Sequence, residues 1–563
     1  MKKKYSQKGA EKSVTGYVSN TLRVNDALKE QSRWQRKSEE GDYSLVGLKR
    51  ASVLIGLYRK RPVMIVGDYD VDGKCALAIL ARTLKVLGFT DVQSRIPHRI
   101  SEGYGINEAI IDEIESDDTL LITVDNGIAA HEAIRKAIAR GLEVIITDHH
   151  LPVLDENGEP DIPEADVVID PNAIENSADF SGYCGAGIAY KLAVYLMDHA
   201  GYEDPEFRDS LLSLAAIATV CDSVPMVEEN WVFVRDGLRC LSSGKTFAGV
   251  KALLWDMYLN GHVTEEDLAY KIGPCINADN RLYDDSTLAV DLLLCDEEEK
   301  AKSLSRKLKD VNETRKELCQ VAEKYADKVI SAYKMEEDFP LIVNLGTKVQ
   351  EGLIGILAGR LAEKYNVPAI VFCETEGDIL KGSARTAGGI DLHKVISSSA
   401  APLLSTFGGH AAACGLSVKK ENYRQMRENI KTFCEQNEER PEDGSDAQYD
   451  LSITEEEVPE TLKELRKYAP YGEQFPEPVF RIANFKVIPK DGGYFKTMAK
   501  EGVKFSGASA TAVGFGFSEL LGTEKPKTVD FYGKLSENYF KGQVTPQIVF
   551  DDLDITSRYV FRS

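Results

Sequence analysis

Apolar residues in the first half of the chain gather in short runs at residues 63–66, 120–124, 144–147 and 167–169. Runs of this length with almost no polar alternation predict strands covered on both faces, as in a parallel sheet. Between and after them, residues 76–87, 129–139, 185–197 and 211–220 have helical spacing and composition. Strand–helix alternation predicts an open α/β domain. Residues 296–333 are rich in Lys, Glu, Leu and Ala and contain no Gly or Pro, which predicts a long connecting helix, or two with a break. A smaller α/β region follows, with strands expected at 340–345 and 369–372 around a helix at 353–364. Residues 435–448 are acidic and poor in apolar residues, a linker composition. Beyond them, 480–488, 511–517, 528–535 and 547–555 alternate as strands do, so a small C-terminal β-barrel is expected. The expected division is a basic extension (1–45), an α/β domain (46–230), a helical region with the connecting helix (231–335), the smaller α/β domain (336–435), the linker (436–450) and the barrel (451–563).

Composition narrows the class without naming it. The chain has 563 residues, 43% of them hydrophobic and 28% charged, as in ordinary multidomain globular proteins. No run is long and apolar enough to span a membrane, and no apolar segment follows the N-terminal Met-Lys-Lys-Lys, so a cytoplasmic protein is expected. Ten cysteines without a Cys-x-x-Cys pair argue against a disulfide framework or zinc ribbon. The net charge of −22 is unfavourable for a polyanion partner, but residues 1–60 hold 14 Lys and Arg against 6 Asp and Glu. A basic groove can sit on an acidic body. The basic segment reads equally as a solvated extension or as a DNA-contacting arm.

The chemistry lies where strands end. The first runs into Gly67-Asp68-Tyr69-Asp70-Val71-Asp72-Gly73, the second into Asp125-Asn126-Gly127, the third into Asp148-His149-His150 and the fourth into Asp170-Pro171-Asn172. Open parallel sheets bind ligands beyond the carboxyl ends of their strands. Carboxylates crowded there repel and raise one another's pKa unless cations intervene. Oxygen ligands with one or two imidazoles and no thiolate favour Mn²⁺ or Mg²⁺, and several Asp with His suffice for two ions sharing a bridging carboxylate. Each motif alone has a plainer reading. Asp68-x-Asp70-x-Asp72-Gly73 opens like a calcium loop, but its twelfth position is Ile79, where a bidentate Glu is needed. Asp125-Asn126-Gly127 by itself is turn chemistry. Matching placement on successive strands favours a metal centre.

These motifs resemble the DHH phosphoesterase family, and the match extends to its RecJ single-stranded-DNA exonuclease branch. Ile96-Pro97-His98-Arg99 with Glu102-Gly103-Tyr104-Gly105, Ile122–Gly127, Thr147–His150 and Ala218-Thr219-Val220-Cys221-Asp222 stand in that family's order. Lys381-Gly382-Ser383-Ala384-Arg385 and Phe407-Gly408-Gly409-His410-Ala411 are similar to its DHHA1 domain, and Tyr471–Phe480 to the start of its oligonucleotide-binding (OB) barrel. The resemblance implies Asp70, Asp72, Asp125, His149 and Asp222 as ligands to two Mn²⁺ or Mg²⁺ ions, with Asp125 bridging. It places His150 at the scissile phosphate, and Asp68 and Asp148 as orienting groups. Asp222, which ends a helix before Ser223-Val224-Pro225, would otherwise be read as a cap. The resemblance also implies Arg99, Arg281, Ser383 and Arg385 around a 5′ phosphate, with Ser383 in a Gly-Ser loop. Gly408, Gly409 and His410 are expected to begin a helix whose N-terminus cradles phosphate.

The sequence departs from the family in two places. Cys275 stands where Arg is usual, and Asp279-Asn280 replaces a small Ala-Gly pair. Val349-Gln350-Glu351-Gly352 stands where a Trp-His-Pro-Gly segment is typical. Neither touches the metal motifs. The implied function is a 5′→3′ exonuclease releasing 5′ mononucleotides from single-stranded DNA in repair and recombination. Its barrel would grip the strand by stacking on aromatics such as Phe480, Phe485 and Tyr494. Candidate partners are a single-strand-binding protein or a helicase. The alternatives are a short-oligonucleotide or cyclic-dinucleotide phosphodiesterase, and a non-catalytic scaffold of the same fold.

Overall fold

The four apolar runs pair as expected, and a fifth strand joins them. In the computed structural model, β1 (Val63–Val66), β2 (Val92–Arg95), β3 (Leu120–Val124), β4 (Glu143–Thr147) and β5 (Val167–Ile169) form an all-parallel sheet in the order β2-β1-β3-β4-β5. The strand absent from the pattern is β2, an edge strand with the polar sequence Val-Gln-Ser-Arg and its middle exposed. The structure describes residues 5–558 except 9–11, 24–25, 42, 174–177, 376, 387–389, 438–446, 491–492, 499–501, 523 and 541–542. Most of the expected linker, 438–446, therefore lies outside the described residues.

Helix α1 (Val71–Val86) follows β1 directly, starting five residues earlier than its apolar spacing indicated. The reason is Asp70, whose Oδ1 accepts hydrogen bonds from the backbone N–H of Asp72 (2.9 Å) and Gly73 (3.1 Å) and caps the helix. Leu77, Ile79, Leu80 and Leu84 are buried, each contributing about 1.5–3 kcal/mol of burial free energy. Helices α2 (Gly185–Ala200) and α3 (Pro205–Cys221) pack against α1. The connecting segment is one helix, α4 (Glu298–Ala332), of 35 residues. Helix α5 (Glu351–Tyr365) then packs on a second sheet built from β6 (Leu341–Asn344), β7 (Ala369–Glu374), β8 (Ile379–Arg385), β9 (Leu404–His410) and β10 (Ala413–Lys419). Its order is β9-β10-β8-β7-β6, with only β6 and β7 parallel.

Two expectations are corrected here. Gly408, Gly409 and His410 do not begin a helix: they end β9, with Gly409 opposite Cys414 and His410 opposite Ala413. A Cβ on Gly409 would stand 2.3 Å from the Ala413 carbonyl oxygen, so glycine is needed for close strand approach rather than to open a helix. Ser383 likewise lies in β8 rather than in a loop.

Residues 44–222 and 236–443 form one compact unit, and residues 1–43, 223–235 and 444–563 form another. In the second, a seven-stranded sheet closes over Phe480, Phe485, Phe505, Phe531 and Phe550, all buried. Phe480 and Phe485 are core residues and offer no face to a base. The basic N-terminal segment is not a free extension. Its helix Ala27–Glu40 buries Trp34 edge-on to Trp231, and Gln31 Nε2 donates to the Tyr468 carbonyl at 2.9 Å. No helix among the described residues is long and apolar enough to cross a membrane.

Candidate metal centre and anion pocket

Six carboxylates and two imidazoles meet at the carboxyl edge of the first sheet. Three sets of ligand atoms each lie within 4.8 Å of one another: Asp125, His149 and His150; Asp72, His149 and Asp222; and Asp68, Asp70 and Asp125. Asp125 and His149 each belong to two sets. His149 Nε2 is 3.2 Å from Asp125 Oδ1 and 3.6 Å from both Asp72 Oδ2 and Asp222 Oδ2. Asp68 and His150 stand as close to the cluster as the residues expected to ligate.

Local backbone geometry sets these positions. Asp125 directly follows β3 in the left-handed region (φ 61°), a conformation Asp tolerates better than most residues. Asp72 is aimed by the start of α2, its oxygens accepting from the N–H of Gly185 (2.6 Å) and Ala186 (2.7 Å). Gly73 packs so closely that a Cβ there would stand 2.3 Å from the Asp68 nitrogen. Asp148 accepts from the Ile128 N–H (2.9 Å) and from His150 Nδ1 (2.8 Å), fixing the His150 ring.

Electrostatics fit a cation site. Burial, followed by the neighbouring Asp charges, raises the carboxyls of Asp70, Asp125 and Asp222, and pushes Asp68 up to about 8. Burial pushes the His149 imidazole down, which keeps it neutral. Burial is the largest influence on His150 and opposes its charge, but the Asp148 hydrogen bond and the charges of Asp148, Asp222 and Asp72 together outweigh it and lift the ring to about 9. Asp125 Oδ1 and His149 Nε2 are buried yet have no hydrogen-bond partner, a costly arrangement unless something binds both. The residues present therefore fit two divalent ions with oxygen and imidazole donors.

A binding cation must displace protons from the raised carboxyls, so affinity rises with pH. The apparent Kd for Mn²⁺ is expected to fall about tenfold per pH unit for each proton displaced between pH 6 and 8. Calorimetry in buffers of different ionisation enthalpy measures this proton release, and a pH-independent Kd would contradict it. Gly185 is a second test, because a Cβ there would lie 2.4 Å from Asp125 Cβ. Gly185→Ala is expected to cost about 1–3 kcal/mol from overpacking and about 100-fold in activity by shifting Asp125. Thermal denaturation and turnover separate the two effects.

Beside the cluster opens a cavity of about 420 Å³, lined by Tyr69, Arg99, Tyr104, Arg281, Ser383 and Arg385 among others. Gly408 reaches its wall, whereas Gly409 and His410 do not. Arg281 Nη1 donates to the Gly352 carbonyl (3.2 Å), and Arg385 Nη1 to Ser383 Oγ (3.0 Å). Arg99 lies 4.5 Å over the Tyr69 ring. None of the three arginines is ion-paired among the described residues. Burial, then Arg99, Arg315 and Arg385, press the Arg281 pKa down to about 9.

Tyr104 joins the two sites, a role its sequence did not reveal. Its hydroxyl donates to the Asp125 carbonyl (2.7 Å) and sits 3.1 Å from His150 Nδ1, while its ring lines the cavity. The available signal was its place between Gly103 and Gly105, both at positive φ. The Gly185-Ala186 pair that aims Asp72 was also missed, its glycine looking like a helix start and nothing more.

Comparison with known proteins agrees with this geometry. Residues 62–219 match the DHH family, N-terminal domain, 338–436 the DHHA1 domain and 449–552 the RecJ OB domain. The single-stranded-DNA-specific exonuclease RecJ of Dickeya dadantii is 29% identical over 543 residues, covering 91% of each chain. That of Thermus thermophilus is 30% identical over 513 residues, covering 90% of this chain and 71% of the relative. A crystal structure of RecJ in complex with Mn²⁺ from Thermus thermophilus superposes with a TM-score of 0.73 at 25% identity, over 91% of this chain and 72% of that one. A crystal structure of exonuclease RecJ bound to manganese has a TM-score of 0.58 at 29% identity, over 69% of this chain and 95% of that one.

Fold and centre together define a metal-dependent DHH phosphoesterase carrying a DHHA1 and an OB domain. Within that class, the chain belongs to the RecJ family.

Proposed function

We propose that the protein is a 5′→3′ exonuclease that hydrolyses single-stranded DNA to 5′ mononucleotides. The observation that carries this reading is the cavity with three unpaired arginines whose wall, through Tyr104, touches the metal cluster. A cavity of that charge and size suits the phosphorylated end of a strand, and its position leaves the next phosphodiester over the carboxylates. Arg99, Arg281, Arg385 and Ser383 hold the terminal phosphate. Asp70, Asp72, Asp125, His149 and Asp222 would hold two Mn²⁺ or Mg²⁺ ions, Asp125 belonging to two of the ligand sets, and Asp68 supports the first-strand loop. When bound, the ions supply charge neutralisation at the phosphate and a more acidic water. His150, held by Asp148 and protonated at neutral pH, donates a hydrogen bond to the scissile phosphate. Tyr104 limits the His150 ring to one orientation.

The OB domain would receive the incoming strand, through exposed rings such as Phe515 and Tyr539 rather than the buried Phe480 or Phe485. The setting is DNA repair or recombination in the cytoplasm, with a single-strand-binding protein or helicase presenting ends. The test is incubation with 5′-phosphorylated single-stranded DNA, duplex DNA, RNA and a dinucleotide, each with Mn²⁺, Mg²⁺ or EDTA. Metal-dependent mononucleotide release from the single strand is expected. Cleavage confined to the dinucleotide would replace this reading with an oligonucleotide phosphodiesterase, and no cleavage with a scaffold.

A further inference from the structure

We propose that a buried ion pair, Lys74–Asp279, is a positioning device that ties the start of α1, which carries metal-centre residues, to the segment that places Arg281 in the anion cavity. This inference rests on the exonuclease reading above. Lys74 follows Asp72 and Gly73 in the first turn of α1, and its backbone N–H donates to the Asp70 carbonyl at 3.1 Å. Its side chain and that of Asp279 are both 0% exposed. Lys74 Nζ donates to Asp279 Oδ1 at 2.8 Å and to the Ile276 carbonyl at 2.9 Å. Asp279 also accepts from the N–H groups of Asn280 (2.8 Å) and Ala289 (2.9 Å) and from Ser286 Oγ (3.3 Å).

Two residues beyond Asp279, Arg281 enters the cavity and donates to Gly352. No slack exists there either, since a Cβ on Gly352 would stand 2.0 Å from the Arg281 carbonyl oxygen. The contacts thus run without a break from Asp70 and Asp72 through Lys74 and Asp279 to Arg281. One end carries metal ligands and the other a phosphate-binding guanidinium.

A packing role alone does not account for the pair. Around Lys74, Cys75, Ala76, Leu77 and Ala78 are buried and apolar. An apolar pair of similar volume is often as stable as a buried ion pair, and the best-attested use of such pairs is to fix register. Cutting one nucleotide from an end requires the terminal phosphate and the reactive phosphodiester to be held at a fixed separation, and misplacement by about 1 Å is costly.

The experiment uses the full-length protein with Mn²⁺. Lys74→Met combined with Asp279→Asn removes both charges at nearly constant volume and leaves an oxygen for Ala289. The double variant is expected to melt within a few degrees of wild type and to bind Mn²⁺ within about twofold. Its preference for 5′-phosphorylated over 5′-hydroxyl strands, measured as kcat/KM, is expected to fall about tenfold. A wild-type preference in the folded double variant would overturn the proposal. If that variant shows no cooperative unfolding, Asp279→Glu, which keeps the pair but lengthens it by one methylene, carries the test. The same preference must then move, and an unchanged value overturns the proposal. Wild-type protein is assayed alongside: if it releases no mononucleotide, the exonuclease reading itself falls.

Discussion

Asp125→Asn is expected to lower turnover by at least about 10³-fold while making the metal-free protein more stable at pH 8, not less. The two signs have one origin. Asp125 is buried, and its carboxyl is raised first by burial and then by Asp72, Asp70, Asp222 and Asp68. A carboxyl whose folded pKa lies above its unfolded value binds protons preferentially in the folded state, so ionising it costs stability as pH rises. The cost begins near pH 4, the ordinary Asp value, and grows toward neutrality. Asn tolerates the positive φ at this position and removes the cost. It also replaces one carboxylate oxygen, and the negative charge, of a residue common to two ligand sets, so the rise in Tm on adding Mn²⁺ should shrink or vanish. Thermal melts at pH 5 and pH 8, with and without Mn²⁺, together with single-turnover rates, test all three effects. A variant that keeps the full Mn²⁺ response would remove Asp125 from the centre.

Arg281→Met should lower kcat/KM about 100-fold on 5′-phosphorylated single strands and change it little on 5′-hydroxyl strands. Arg281 has burial and three arginine neighbours against its charge and no carboxylate beside it. Its folded pKa, down to about 9, lies below the ordinary value, so the charged form costs stability at any pH below about 9. The guanidinium nevertheless stays protonated at working pH. A dianionic phosphate relieves that cost and gains charge-assisted hydrogen bonds, which is why the effect falls on phosphorylated ends. Inorganic phosphate should raise the wild-type Tm at low salt and fail to do so in the variant, with the difference fading as salt screens the site. An equal loss on both kinds of end would mean that Arg281 supports the fold rather than the phosphate.

The two sites differ in how far they could be read from sequence. Asp68–Asp72, Asp125 and Asp148–His150 each sit at the end of an apolar run, and a parallel sheet brings successive strand ends to one edge. Local pattern and topology together therefore bring these carboxylates and imidazoles to one edge, where they could hold a metal ion. Asp222 had no such mark, because a helix C-terminus before Ser-Val-Pro looks like a cap, and only its 3.6 Å approach to His149 distinguishes it. Gly408-Gly409-His410 misled for the opposite reason. Two glycines before an alanine-rich stretch resemble a helix start, but the cross-strand partners Ala413 and Cys414 dictate a strand.

What the sequence determined alone was the sheet, the long helix and the metal motifs, because strand burial, helical period and strand-end carboxylates are written within a few residues of one another. The tertiary structure alone decided which distant groups share a cavity. Arg99, Arg281 and Arg385 are far apart in the chain and carry no periodicity that links them. Their convergence depends on how α5 and β8 pack, with Gly352 and Gly355 admitting Arg281 and Arg385 at close range. Nor could spacing show that Lys74 and Asp279 meet with no exposure at all, since a buried ion pair is visible only once both partners have lost their water.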